Sequence, residues 1–204
     1  MSDFDYRLER AKNYETALIN MLNLSGFVTA LNGTEHTHPD FVNKLRNSED
    51  PTSLSIRFQP DGVAYIGNTP RSFYFEAKSS STIEKNAYNQ YMNLALNGNI
   101  VVLFFGSGSD EIVFKWIFVE DLKFTNSEYL LKKFKNQKGS KQKDIPIIDN
   151  WFYPRKLNDT DFNEWKIKYK ASGTPYANID KSCLLDSDVF KNLMVEKLKN
   201  ILNL

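Results

Sequence analysis

The chain has 204 residues, 41% of them hydrophobic and 25% charged, which is the composition of one globular domain with a substantial core. One cysteine, Cys183, excludes an intrachain disulfide, and no apolar run approaches the roughly 20 residues of a membrane-spanning helix. The formal charge of +1 lacks the basic surplus of many nucleic-acid-binding chains, although a local basic rim is compatible with it.

In chain order, Leu8, Ala11, Leu18, Met21 and Leu22 recur near helical spacing and predict a helix from Tyr6 to Leu24, ended by Gly26. Phe27 to Leu31 reads as a strand. Residues 32–53 read as a long polar loop containing His36, His38 and Pro39-Asp40, and Ser53 to Phe58 reads as a short strand or extended lead-in. Two strands follow, Gly62 to Ile66 and Ser72 to Lys78, joined by a turn at Gly67-Asn68-Thr69-Pro70. With those four residues as the loop, Ile66 pairs with Arg71 and paired residue numbers sum to 137.

Ser81 or Thr82 is then expected to cap a helix reaching Leu96, with Glu84 near the capping-box position and Asn97-Gly98 at its end. Ile100 to Phe105 is uniformly apolar, as in a central strand covered on both faces. Gly106 to Asp110 turns the chain into another strand, Ile112 to Val119. Lys123, Lys132, Lys133, Lys135, Lys138, Lys141 and Lys143 dominate the next segment, with Glu128 the one acid among them. Asn150 to Pro175 reads as irregular and aromatic, Ser172 to Tyr176 as either a lining of the cleft or a simple turn, and Ser187 to Leu202 as a closing amphipathic helix. One domain is expected over 1–204: an α/β core over about 6–122, with helix–strand–hairpin–helix–strand–strand order and a mixed sheet, and a C-terminal elaboration over about 123–204.

The hairpin register has a chemical consequence. Asp61 falls opposite Glu76, and Lys78, two residues further along the same strand, shares their face. Phe73, Phe75 and Ala77 take the other face. Two like charges opposed on a sheet repel, so the arrangement suggests a compensating partner, Lys78 in part and a divalent cation more fully. On this reading Glu76→Gln, without metal, leaves the melting temperature unchanged or raises it. The same three residues also fit an ordinary charged hairpin. The apolar strand beside them and the helix after them favour a covered site.

Pro60-Asp61 with Glu76-Ala77-Lys78 resembles the motif of the PD-(D/E)xK nuclease superfamily. The stretch from Glu15 to Gly26-Phe27 is similar to the first-helix glutamate motif of Holliday junction resolvase-type and phage nucleases. The resemblance spans roughly residues 9–119 and is strongest at 58–79. It implies a restriction-endonuclease-like fold and a Mg²⁺-dependent DNA endonuclease, with Mn²⁺ able to substitute, acting structure-selectively in recombination or phage DNA processing. A sequence-specific restriction-type enzyme, or an inert DNA-binding or assembly protein of the same fold, is the alternative. By position, Asp61, Glu76 and the Ala77 carbonyl would ligate the metal, Glu15 would hold a metal-bound water or second ion, and Lys78 would orient or deprotonate the attacking water. Gln90 matches a buttressing glutamine, but Leu94 stands where its usual tyrosine partner is expected, and neither Tyr88 nor Tyr91 replaces it by spacing. The lysines at 132, 133, 135, 138, 141 and 143, with Ser79, are the expected contacts to the DNA backbone. A homodimer is a common arrangement for such enzymes, with the C-terminal helix as either an interface or a lid on the core. The setting implied is the cytoplasm of a bacterium or phage-infected host, and the Asn- and Lys-rich composition fits an AT-rich genome.

Overall fold

A computed structural model describes residues 3–32, 45, 48, 50–66, 71–134, 141–147, 163–168 and 174–200. His36, His38, Pro39-Asp40, the turn at 67–70, Lys135, Lys138 and residues 148–162 lie outside them. The fold is α/β, with a mixed sheet flanked by helices and a second, smaller sheet.

Helix α1 (Asp3–Leu24) carries Tyr14, Leu18 and Leu22 at intervals of four, and all three are buried. Gly26, at φ 91°, adopts the left-handed conformation that turns the chain out of the helix. The chain then enters β1 (Phe27–Leu31), which pairs antiparallel with β2 (Gly62–Ile66). Between them Pro51–Arg57 is a short helix, α2, where the sequence suggested an extended segment. Its cause is local: Pro51 starts the first turn, and the Asp50 side chain accepts a hydrogen bond from the Ser53 N–H at 2.9 Å.

Strands β2 and β3 (Ser72–Lys78) pair in the expected register, Gly62 with Phe75 through Tyr65 with Ser72, and the Ile66 N–H donates to the Arg71 carbonyl. The next helix begins later than expected. Thr82–Glu84 form β4, a short strand, and α3 runs over Lys85–Leu96 with Glu84 at its N-cap position and no side-chain cap bond. The strand forms because Ile83 is buried and Thr82, Ile83 and Glu84 pair with Asn178, Ala177 and Tyr176, far away in sequence.

Strand β5 (Val101–Ser107) is the central strand, parallel to β3 on one side and antiparallel to β6 (Val113–Phe118) on the other. The main sheet has the order β1-β2-β3-β5-β6-β11, with β11 (Leu185–Asp186) at the edge beside β6. The C-terminal part is more regular than its sequence suggests. β7 (Phe124–Phe134), β8 (Lys141–Ile147), β9 (Asn163–Lys168) and β10 (Pro175–Asn178) join β4 in a second sheet ordered β4-β10-β9-β7-β8. Pro175 and Tyr176, read from the sequence as part of a cleft lining or a turn, are strand residues, while residues 172 and 173 lie outside the described set. The final helix, α4 (Phe190–Asn200), starts after a 3₁₀ turn at Ser187–Val189.

Two apolar clusters hold these layers together. On one face of the main sheet, α1 and α4 cover Phe27, Phe73, Phe75, Phe104 and Trp116, with the Phe190 ring in their midst. On the other, α3 and the second sheet cover Val101, Leu103, Phe105 and Ile117 through Ala87, Tyr91, Trp165 and Ala177. Alternation along β3 sends Phe73 and Phe75 to the first cluster and Tyr74, Glu76 and Lys78 to the second face. No helix among the described residues is long and apolar enough to cross a membrane.

Candidate active site

Asp61 sits at the entry to β2, between β1 and β3. Its carbonyl accepts from the Asn32 N–H at 2.8 Å, tying it to the β1 side. Toward β3 two hydrogen bonds run in opposite directions: the Asp61 N–H donates to Glu76 Oε2 at 3.0 Å, and the Ala77 N–H donates to Asp61 Oδ2 at 2.7 Å. The carboxylate of each residue is thus oriented by backbone on the other's strand. Gly62, next to Asp61, permits this approach. A Cβ there would overlap the Phe75 ring and lie 2.6 Å from the Ala30 carbonyl oxygen.

Glu76 is 4% exposed, a rare location for a carboxylate, and it is met from three directions. The Lys78 ammonium forms a direct ion pair with Oε1, the Asp61 N–H reaches Oε2, and the Tyr91 phenol on α3 is electrostatically coupled to the carboxylate. Burial pushes Tyr91 well above the ordinary phenol value, and the charges of Glu76 and Asp61 push the same way, so its hydroxyl is a proton donor at neutral pH. Lys78 lies with its ammonium 6.0 Å from the centre of the Tyr91 ring. Burial alone would lower the Lys78 pKa; the opposite charges of Glu76 and Asp61 outweigh it and leave the pKa raised. Asp61 differs from both. Burial and the charge of Glu76 raise its pKa well above the usual carboxylate value, against the opposing pull of Lys78 and the Ala77 N–H.

Glu15, on α1, is half-buried, with Oε1 shielded from solvent, and its charge adds to the upward push on Asp61. The four residues Asp61, Glu76, Lys78 and Glu15 are therefore electrostatically joined, the first three on the face that the hairpin register gives them. Gln90 is half-buried on α3. The next residue on α3, Tyr91, is the one electrostatically coupled to Glu76. A signal for Tyr91 was present in the sequence: it lies four residues after Ala87, and both occupy the buried stripe of α3.

The lysine-rich segment lies elsewhere. Lys132 and Lys133 are on β7 and Lys141 and Lys143 on β8, with Lys132 paired to Lys143. β8 is the edge of the second sheet opposite β4, four strand spacings or roughly 19 Å across the sheet from it. The backbone therefore places these lysines away from Glu76 and Lys78. Ser79 is close, and its carbonyl accepts from Arg10 of α1 at 3.3 Å. Arg10 was not singled out in the sequence, because nothing local links position 10 to position 79.

Among the described residues no group of three or more His, Cys, Asp and Glu forms a ready-made metal cage. The donor set at the site is two carboxylates plus backbone, with a third carboxylate on α1. The raised proton affinity of Asp61 is what a cation would relieve, so the residues present fit a hard divalent ion that keeps several waters. The chain matches no known family model, no curated protein and no solved structure.

Proposed function

We propose that the protein is a Mg²⁺-dependent deoxyribonuclease of restriction-endonuclease-like fold that hydrolyses phosphodiester bonds, with branched or otherwise irregular DNA as its preferred substrate. The observation that carries this reading is the reciprocal lock between Asp61 and the Glu76-Ala77 peptide, with Lys78 on the same face. Such a lock fixes two carboxylates and a cation beside one another before any substrate arrives, which is the preorganisation that phosphoryl-group chemistry requires.

Asp61 and Glu76 would hold the ion, with the Ala77 carbonyl as a further ligand and Glu15 acting through water. The ion would supply Lewis-acid stabilisation of phosphate charge and lower the pKa of a bound water. The chain's own residues divide the remaining work. Lys78, held as a cation by the neighbouring carboxylates in the absence of metal, would neutralise charge on the phosphate and orient or deprotonate the attacking water. Tyr91 stays beside Glu76 as Lys78 turns from Glu76 toward substrate. The half-buried Glu15, on the α1 side, would accept a hydrogen bond from that water.

The test is cleavage of branched, linear-duplex and single-stranded DNA in Mg²⁺ or Mn²⁺ by the wild type, Asp61→Ala and Lys78→Ala. Metal-dependent cutting lost by at least a hundredfold in both variants is the expected result, and cutting that survives both rejects the proposal. Fixed cut sites on long duplex DNA would point to a restriction-type enzyme. Metal-independent binding without cleavage of any substrate would assign the chain to DNA binding or assembly.

A further inference from the structure

We infer that the cleft beyond Lys78 is a binding site for an unpaired DNA strand, phosphates in one part and a base in the other; this assignment rests on the nuclease reading. The first part, about 340 Å³, opens where β3 and β5 end and is lined by Arg10, Ser79, Ser80, Ser81, Lys115 and Lys181 together with residues 105–108 and Leu184. None of its lining residues is acidic, so three cations and a row of serine hydroxyls face the same space.

The sheet register sets its relation to the candidate site. Lys78 pairs with Phe105 and Phe105 pairs with Lys115, so the two lysines stand on one face in a single row across three strands, about 10 Å apart. A backbone phosphate next to one held by Lys78 therefore has Lys115 within reach. Lys115 is paired with Asp186 at 3.0 Å, but both side chains are well exposed, and a pair of that kind exchanges readily for phosphate. Arg10 is fixed by donation to the Ser79 carbonyl and by its contact with Tyr14, with the guanidinium 5.4 Å from the ring centre.

The second part, about 530 Å³, adjoins the first at Arg10 and Gly108 and is lined by Tyr6, Glu9, Asn13 and Tyr14. Tyr6 is 56% exposed, so an aromatic face stands open beside groups able to hydrogen-bond a base edge. An aromatic platform next to a cationic track is the arrangement that binds single strands, because every base has a stacking face and a strand must be unpaired to present it. A duplex would fill the phosphate part and leave Tyr6 uncovered. An unpaired strand fills both, as it would where a branched substrate frays beside the cut.

The experiment is fluorescence anisotropy in EDTA with a labelled thymidine 12-mer and a blunt duplex of equal length, over a salt series. The single strand is expected to bind more tightly. Tyr6→Ala should weaken its binding roughly tenfold and leave the duplex unchanged. The double variant Lys115→Ala/Lys181→Ala should reduce the slope of log affinity against log salt by about 1.4, two single-strand phosphate contacts. All three side chains are exposed, so the variants should fold, and unchanged far-ultraviolet circular dichroism checks this. Equal affinity for both DNAs, or single-strand binding unmoved by either variant, overturns the inference. Because cleavage is absent in EDTA, failure of the two readings separates: single-strand binding that depends on Tyr6 without any cleavage in Mg²⁺ removes the nuclease reading alone. Cleavage lost in Asp61→Ala but indifferent to Tyr6→Ala removes the strand cleft alone.

Discussion

Asp61 and Glu76 face each other, yet their environments make them unequal. Glu76 is neutralised by Lys78 and receives a hydrogen bond from the Asp61 N–H, with the Tyr91 phenol coupled to it electrostatically. Removing its charge would leave Lys78 half-partnered, so in EDTA Glu76→Gln should lower stability by about 3 kcal/mol, roughly 6–12 °C of melting temperature. That reverses the neutral or stabilising effect inferred from opposed like charges alone. Asp61 carries the unrelieved share of the repulsion. Its folded-state pKa is raised, so its contribution is favourable at low pH and is lost as pH rises through the folded value. Asp61→Asn should therefore melt above the wild type at about pH 8 in EDTA, with the difference closing toward about pH 4, where both carry a neutral side chain. A constant difference across that range would show that Asp61 is not the strained partner. Tyr91→Phe keeps the ring over Lys78 but removes the phenol dipole beside Glu76; activity should fall with a steeper dependence on Mg²⁺ concentration, read from titrations of initial rate.

At the scale of elements, the hairpin was the most legible part of the sequence, and the reason is physical. Alternation over Gly62–Ile66 and Ser72–Lys78 leaves one register that buries Phe73 and Phe75, and a slip by one residue would expose both. β5 was legible because both of its faces are covered. β4 was not: three residues carry too little pattern, and its partner β10 lies more than 90 residues on. The strength of α2's start, Asp50 before Pro51, was hidden inside a polar stretch read as loop. Gly62 offers a direct check of the close packing around the site. Gly62→Ala should destabilise by about 1–3 kcal/mol, because the Ala30 carbonyl on β1 cannot yield as a flexible side chain would. Chemical denaturation with an unchanged slope and a lower midpoint is the expected record.

For the whole molecule, the cluster under α1 and α4 is built from both ends of the described chain, and the cluster on the other face from its middle, Phe58 to Leu184. The sequence left α4 as either an interface or a cover; within the described structure Phe190 and Met194 are fully enclosed and cover the face shared with α1. Phe190→Ala should cost about 3–5 kcal/mol, measurable by thermal melting. Metal should act in the opposite sense. At a hundred times its dissociation constant, Mg²⁺ should stabilise the wild type by about 2.7 kcal/mol, and Asp61→Asn should lose most of that gain. Charge is balanced overall but unevenly placed, with cations gathered in the cleft beyond Lys78 and along the β7–β8 hairpin, which a net value of +1 could not reveal.

The Phe190 ring meets Phe27, Phe73, Phe104 and Trp116, all of which leave the ribosome long before it does. At about 5–20 residues per second, the interval between synthesis of Phe73 and of Phe190 is roughly 6–25 s. For that time the nascent sheet carries a bare aromatic face that α1 alone does not roof. Newly made chains are therefore exposed to chaperone capture and to sticking to one another until α4 arrives.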